Sequence, residues 1–314
     1  EPVFLQGSTS RPEEKGGNRV VDKTSNIPVL KALMAVVIWG GSFVATKAAL
    51  RELDPLTLIW GRFAMGAAVL MAIQLYRGKM RIPPRKDLLL FALLAFQGVT
   101  FHQWLQCVAL QTAKASTSGW IIATSAIFMA LLGWTFLGEK ISSRQLGGMV
   151  LATMGLLVVL SEGNPSNLLR EQFESFGNLL MLISAANWAL FSVLSRKLLR
   201  RSSPGTMMAW VMFFGWLFSA FLFASRVELS RLFHLSAPGL GALLVLGIFC
   251  TGIAYTFWYD ALDAMEASRA GAFMYLEPPS AVIIAFLFLG EPLLPLVLAG
   301  GGMILLGVWF VNKN

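Results

Sequence analysis

Apolar residues run along this chain in long blocks, and polar residues fall in the gaps between them. A helix that crosses a bilayer needs about 20 mostly apolar residues. Ten blocks reach that length, over 29–50, 57–76, 87–111, 115–137, 142–161, 176–199, 206–224, 237–261, 267–289 and 292–312. Most gaps are only a few residues long, which makes successive helices antiparallel neighbours. The widest gap, 162–175 (EGNPSNLLREQFES), is a polar linker between a first half, 29–161, and a second half, 176–312, of five spans each. Residues 1–28 form a polar tail. Its opening EPVFLQGSTS reads as an expression remnant, and the tail has no basic, apolar, small-residue order of a signal peptide.

The blocks also repeat. FLGE closes an apolar run at 136–139 and again at 288–291, so Glu139 and Glu291 are 152 residues apart (291 − 139). The same offset carries Ala109-Leu110 onto Ala261-Leu262, Ala115-Ser116 onto Ala267-Ser268, and Gly119 onto Gly271. It also carries Gly148 and Gly155 onto Gly300 and Gly307. Earlier in each half the offset is 149: Trp39 falls on Trp188, Pro55 on Pro204, Thr57 on Thr206 and Lys47 on Arg196. A three-residue change inside one loop reconciles the two offsets. Five is an odd number of crossings, so the second half is upside down relative to the first. Inverted repeats of this kind mark many secondary transporters. FLGE itself reads as a tight hairpin. Glycine takes the left-handed conformation that ends a helix, the glutamate suits the positive end of the next helix, and Pro292 suits its first position. Proton coupling by Glu139 and Glu291 is the rival reading.

Composition agrees with the pattern. Hydrophobic residues make up 56% and charged residues 13%, against roughly 25% charged in a soluble domain. The expected fold is an all-α polytopic membrane protein, with ten transmembrane helices as two inverted five-helix repeats around a central cavity. A net charge of +8 would suit nucleic acid if the cations were clustered, but they lie in the connections. Nucleic acid is therefore excluded as a partner, and membrane lipid and a small-molecule substrate are expected. Arg77, Lys79, Arg81, Arg85 and Lys86 share one side with Arg196, Lys197, Arg200 and Arg201. Arg51, Lys114 and Arg170 lie opposite, and Arg226 and Arg231 dissent from the bias. Lys and Arg concentrate on the cytoplasmic side, which places both termini there. Cys107 and Cys250 lie within apolar runs and read as small buried hydrophobes.

WGGSFVATK in helix 1, the GE after helices 4 and 9, ASRAG at the start of helix 9 and YLEPPSA within it carry a family likeness. Over residues 29–312 the chain resembles the drug/metabolite transporter superfamily, and within it the EamA-type ten-helix transporters. The resemblance implies a transporter rather than an enzyme. It implies a central cavity lined mainly by helices 1, 3, 4, 6, 8 and 9, with helices 5 and 10 as packing helices. Many members carry proline in helix 4, where this chain reads TSAIFMA, so the residues give no reason for a kink there. A fainter likeness is to bacterial inner-membrane exporters of aromatic and other neutral amino acids.

Polar side chains inside a span are costly unless paired or facing a wet cavity. His102, Gln103 and Gln106 of GVTFHQWLQ form the densest polar group in any span, either as substrate contacts or as hydrogen bonders between helices. Tyr255 lies deeper in helix 8 than Trp258 and Tyr259, which fit the cavity or an aromatic belt equally. Trp39, Trp120 and Trp188 either wall the cavity or fill the core. In Glu277-Pro278-Pro279 the prolines remove donors and clash with the preceding turn, so helix 9 should loosen at mid-span. Glu277 there is a candidate for proton coupling or gating, or a static partner of an arginine or of a hydroxyl such as Tyr275. Tyr275 is also a substrate-contact candidate, and Asp260 is expected at the membrane interface. Lys47 and Arg62 read as lying toward span ends, which leaves almost no buried cation for sugar nucleotides or triose phosphates. No Walker A, HExxH or GxSxG pattern and no Cys/His metal spacing occurs, so no catalytic residue, metal or cofactor is expected. The function expected is alternating-access export of neutral or aromatic amino acids and similar amphipathic metabolites. A multidrug or other small-metabolite carrier is the alternative, and an intramembrane enzyme or receptor is the reading from another class.

Overall fold

The computed structural model describes residues 26–137, 140–162, 172–199, 201–224, 229–264 and 273–312. Most of the tail, Gly138-Glu139, most of the 162–175 linker and the ASRAG segment lie outside the described residues. Those described contain helices and no strands. The first half holds α1 (Ile27–Ala49), α2 (Pro55–Tyr76), α3 (Arg85–Leu110), α4 (Ala115–Ala123 and Ser125–Leu137) and α5 (Ser143–Ser161). The second holds α6 (Gln172–Leu199), α7 (Pro204–Phe223), α8 (Ala237–Leu244, Val245–Ile253 and Ala254–Ala264), α9 (Met274–Leu289) and α10 (Pro295–Asn312). Nine are long and apolar enough to cross a bilayer, and α9 is a shorter apolar helix over its described residues. Their outward positions, such as Leu89, Phe136, Phe221 and Phe288, are apolar and exposed, as a lipid-facing surface requires. Below, the end of the bundle at Ile27 is the tail face and the opposite end the far face.

Local chemistry starts the helices in repeat register. Asp54 accepts from the Leu56 and Thr57 amides at the head of α2, and Ser203 accepts from Thr206 at the head of α7, each followed by proline in the first turn. Packing follows the same exchange of halves. Helix α1 packs on α9 as α6 packs on α4, α1 on α8 as α6 on α3, and α2 on α8 as α7 on α3. One polar contact makes the inversion explicit. On the far face Ser236 Oγ donates to Glu52 at 2.5 Å, and on the tail face Arg201 Nη1 donates to Asp87 at 2.6 Å. Residues 52 and 87 become 201 and 236 under the 149 offset, so one contact recurs on both faces with different chemistry.

Two helices of the inner bundle widen into π turns, at Phe96–Phe101 of α3 and Val245–Ile253 of α8. The turns begin 149 residues apart (245 − 96). Asp87 and Ser236, which precede the two helices, keep that offset too, whereas Ala109-Leu110 and Ala261-Leu262 at their other ends keep 152. The three-residue change therefore lies inside α8 and not in a loop. The π segment of α8 has nine residues and that of α3 six, and π turns are a means by which a helix absorbs extra residues.

Helix α4 is interrupted at Thr124 without a proline; the Thr124 hydroxyl donates to Ile121 O at 2.6 Å. A matching break in α9 falls at Leu276, again 152 residues on (276 − 124). There a single 3₁₀ turn, Met274–Leu276, precedes the α-helix Glu277–Leu289. Pro278 and Pro279 thus lie in the first turn of an α-helix, where missing donors cost nothing, and the loosened backbone lies just before them.

The expectation for FLGE holds in part at its second copy. Gly290 has φ +67° and closes α9. Pro292 does not open α10, which begins at Pro295. Glu291 does not serve its own next helix. Its carboxylate accepts from the Ala115 and Ser116 amides at 2.9 Å each and from Ser116 Oγ at 2.5 Å, capping α4 of the other half. Lys47 Nζ lies 3.8 Å away and donates to Ala113 O at 2.7 Å. Helices α5 and α10 form a close seam, as expected of their glycines. A Cβ on Gly148 would come within 2.6 Å of Gly307 O, and one on Gly155 within 2.6 Å of Gly300 O.

Candidate substrate-binding cavity

Between the halves lies a cavity of about 630 Å³. Trp39 and Phe43 of α1 line it, with His102, Gln103 and Gln106 of α3, and Trp188 of α6. Tyr255 of α8 and Tyr275 and Glu277 of α9 complete the residues expected there. The last turns of α10, through Val308, Trp309 and Asn312, also line it and lead it toward the tail face. Helix 10 is therefore more than a packing helix. Beside the cavity, α1 and α4 approach α9 closely through small residues. A Cβ on Gly40 would come within 2.7 Å of Ser280 Cβ, and one on Gly119 within 2.8 Å of Ala281 Cβ. The Glu291 cap on α4 lies beyond them.

Trp120 is not in this set. It is 3% exposed and fills the core, its ring pressed against Gly301 of α10, where a Cβ would come within 2.4 Å of the indole. The Gly300–Gly302 run on the facing helix is the sequence signal for that slot. Trp258 and Tyr259 do not line the cavity either, although the Trp258 ring lies 5.5 Å from that of Trp39.

The polar groups are held by neighbours from several helices. Trp39 Nε1 donates to Cys250 O at 3.0 Å, a carbonyl of the α8 π segment, and its ring meets Tyr255 edge-on at 5.0 Å. Trp188 lies against His102 at 5.3 Å and stacks on Phe191 at 5.2 Å. His102 Nδ1 is 3.0 Å from Ser184 Oγ. Tyr275 donates its hydroxyl to Val308 O at 3.1 Å and accepts from Asn312 at 2.8 Å, so it is not a partner of Glu277. Gln106 and Glu277 line the cavity, and neither side chain has a hydrogen-bond or ion-pair partner among the described residues. His102 and Gln103 thus both bridge helices and face the cavity.

Arg62 corrects the sequence reading. It is 6% exposed, lines the cavity and does not lie at a span end. Nη1 donates to Gln103 Oε1 at 2.9 Å and Nε to Thr251 Oγ1 at 3.0 Å, which ties α2 to α3 and α8. Helix α2 begins at Pro55 behind its Asp54 cap, so Arg62 lies about two turns deep. The cap was the signal that would have found it, because the apolar block itself begins later, at 57. Lys47 does lie in the last turn of α1. Asp260 is partly exposed at the tail face, where it pairs with Lys31 at 2.7 Å and Arg77 at 2.6 Å, as an interfacial residue should. Among the described residues no group of three or more His, Cys, Asp or Glu could hold a metal ion.

Comparison with known proteins gives the chain its relatives. The model of the EamA-like transporter family matches residues 26–161 and 175–313, once in each half. An uncharacterized transporter of Archaeoglobus fulgidus is 31% identical over 90% of this chain and 96% of its own length. A probable terminal-alkyne amino-acid exporter of Streptantibioticus cattleyicolor is 26% identical over 90% and 92%. A probable amino-acid metabolite efflux pump of Escherichia coli is 26% identical over 88% and 92%. A crystal structure of a protein at 19% identity superposes with a TM-score of 0.66, covering 90% of this chain and 95% of that one, a likeness of fold.

Proposed function

From the premise that the chain belongs to the EamA-like transporter family, and so is a multi-pass membrane transporter and not an enzyme, we propose that it exports neutral or aromatic amino acids and similar amphipathic metabolites. The observation that carries this reading is the cavity lining: indole and phenol rings beside a few polar groups, among them one arginine and one glutamate. Such a lining suits a ligand with an apolar body and a few polar handles. Relatives about a quarter identical, named a probable terminal-alkyne amino-acid exporter and a probable amino-acid metabolite efflux pump, support the cargo class. Transport runs by alternating access, the halves rocking about the cavity. Glu277, a carboxylate without a partner beside the α9 break, is the candidate for proton coupling or gating. The membrane is a bacterial inner membrane with both termini cytoplasmic, a reading supported by the Lys and Arg bias toward the tail face. The test is flux in proteoliposomes. Phenylalanine, tryptophan, methionine or threonine should move intact, and sugar phosphates should not. Faster movement of sugar phosphates or nucleotide sugars than of any neutral amino acid would sink the proposal.

A further inference from the structure

Resting on the amino-acid reading, we infer that Arg62 is the anchor for the cargo's carboxylate and that Glu277 receives its ammonium. Both side chains line the one cavity. They form no ion pair with each other, and neither has an opposite charge as partner among the described residues. A mid-membrane charge without a partner is costly, so two of them in one cavity mark positions where a bound molecule completes the electrostatics.

Geometry favours an anion at Arg62. A guanidinium has five N–H donors in a rigid fork that matches a carboxylate. Two are spent, on Gln103 and Thr251, and these bonds hold the side chain by its Nε and Nη1. One face of the guanidinium lies 5.4 Å over the Phe63 ring. The remaining N–H groups, including both on Nη2, have no acceptor among the described residues. Glu277 offers two carboxylate oxygens with no donor, and Trp39 and Trp188 flank the same cavity to take an apolar body.

The repeat-related positions carry no charge. Under the offsets that relate the halves, Arg62 falls on Val211 and Glu277 on Ser125. Val211 is fully buried, and Ser125 lines the cavity as Glu277 does. An uncharged residue thus occupies the matching place in the other half in each case. The charges are what one half has and the other lacks, and they give the cavity a dipole suited to a zwitterion.

Three probes separate the poles: phenylalanine with both charges, 2-phenylethylamine with only the ammonium and 3-phenylpropionate with only the carboxylate. Affinities are measured on the full chain in nanodiscs. Arg62→Gln should weaken phenylalanine and phenylpropionate about tenfold or more, the worth of a charge-assisted hydrogen bond, and leave phenylethylamine unchanged. Glu277→Gln should weaken phenylalanine and phenylethylamine and spare phenylpropionate. If Arg62→Gln lowers the yield of folded protein, Arg62→Lys keeps the charge, loses the fork and should still weaken only the carboxylate-bearing probes. Equal loss for all three probes, or none, in the folded Arg62 variants makes Arg62 a strut between helices and overturns the assignment. Wild-type protein that binds no neutral amino acid overturns the cargo reading itself, a different result from selective binding that ignores Arg62.

Discussion

Trp120 and Trp188 are the same residue type with opposite fates, and the difference lies in their neighbours. Trp188 meets the His102 ring and a cavity, while Trp120 meets a glycine on a facing helix. Trp188→Ala and His102→Ala should each reduce amino-acid flux without changing the yield of folded protein. Trp120→Ala should instead lower the stability of the detergent-solubilised protein by about 3–5 kcal/mol, the usual cost of truncating a buried aromatic, and leave cargo preference unchanged. An unaltered unfolding temperature for Trp120→Ala would contradict its core placement. At this scale the repeat register is legible in the sequence: Trp39 and Trp188 share it, and both side chains line the cavity. It reads poorly where depth depends on a cap. Arg62 looked peripheral because an apolar block begins after Asp54 and Pro55, although the helix begins with them.

At the scale of elements, the nine described helices long enough to cross a bilayer, and the shorter apolar α9, are legible as apolar runs, because a bilayer demands length and hydrophobicity together. The π turns of α3 and α8 and the break at Thr124 are not. They are choices between backbone partners a residue or two apart, and no side-chain pattern records them. Nor does the sequence reveal which helix a glutamate will cap. Glu291 caps α4 across the repeat boundary, because the α9–α10 hairpin brings its carboxylate to two free amides and Lys47. Glu291→Gln keeps an acceptor and loses the charge, while Glu291→Ala loses both. The alanine variant should open the far face, measured as faster reaction of Ser42→Cys in the cavity with an impermeant maleimide added on that side. Native Cys107 and Cys250 are buried and give little background. An unchanged rate in Glu291→Ala would show that Glu291 does not hold the far face closed.

For the whole molecule, inverted topology follows from sequence arithmetic alone, and the paired contacts at Glu52–Ser236 and Asp87–Arg201 repeat it in three dimensions. Orientation in the membrane is a separate question, decided by the connections. With the tail face cytoplasmic, Ile82→Cys and Ser202→Cys should react with reagents from the cytoplasm and Arg51→Cys from outside. Labelling of 51 and 82 from one side would break the alternation of spans. What the residue pattern could not convey is the state of the cavity. Whether it leads to one face or the other depends on how two halves lean together, and that is a balance between whole-body packings.

The three residues that α8 holds in excess of α3 have a kinetic consequence. Perfect halves would make the passage outward a mirror image of the passage inward, with one half-saturation concentration for both. The surplus turn denies the molecule that equality, so cargo arriving from either side meets a differently shaped threshold. A carrier with no coupled ion must still give the same quotient of maximal rate to half-saturation in both directions, since otherwise it would concentrate its cargo without a source of work. Right-side-out and inside-out vesicles should therefore differ in each constant and agree in the quotient. A quotient that differs when a proton gradient is imposed, and equalises when it is collapsed, would identify the ion that sets the direction of travel.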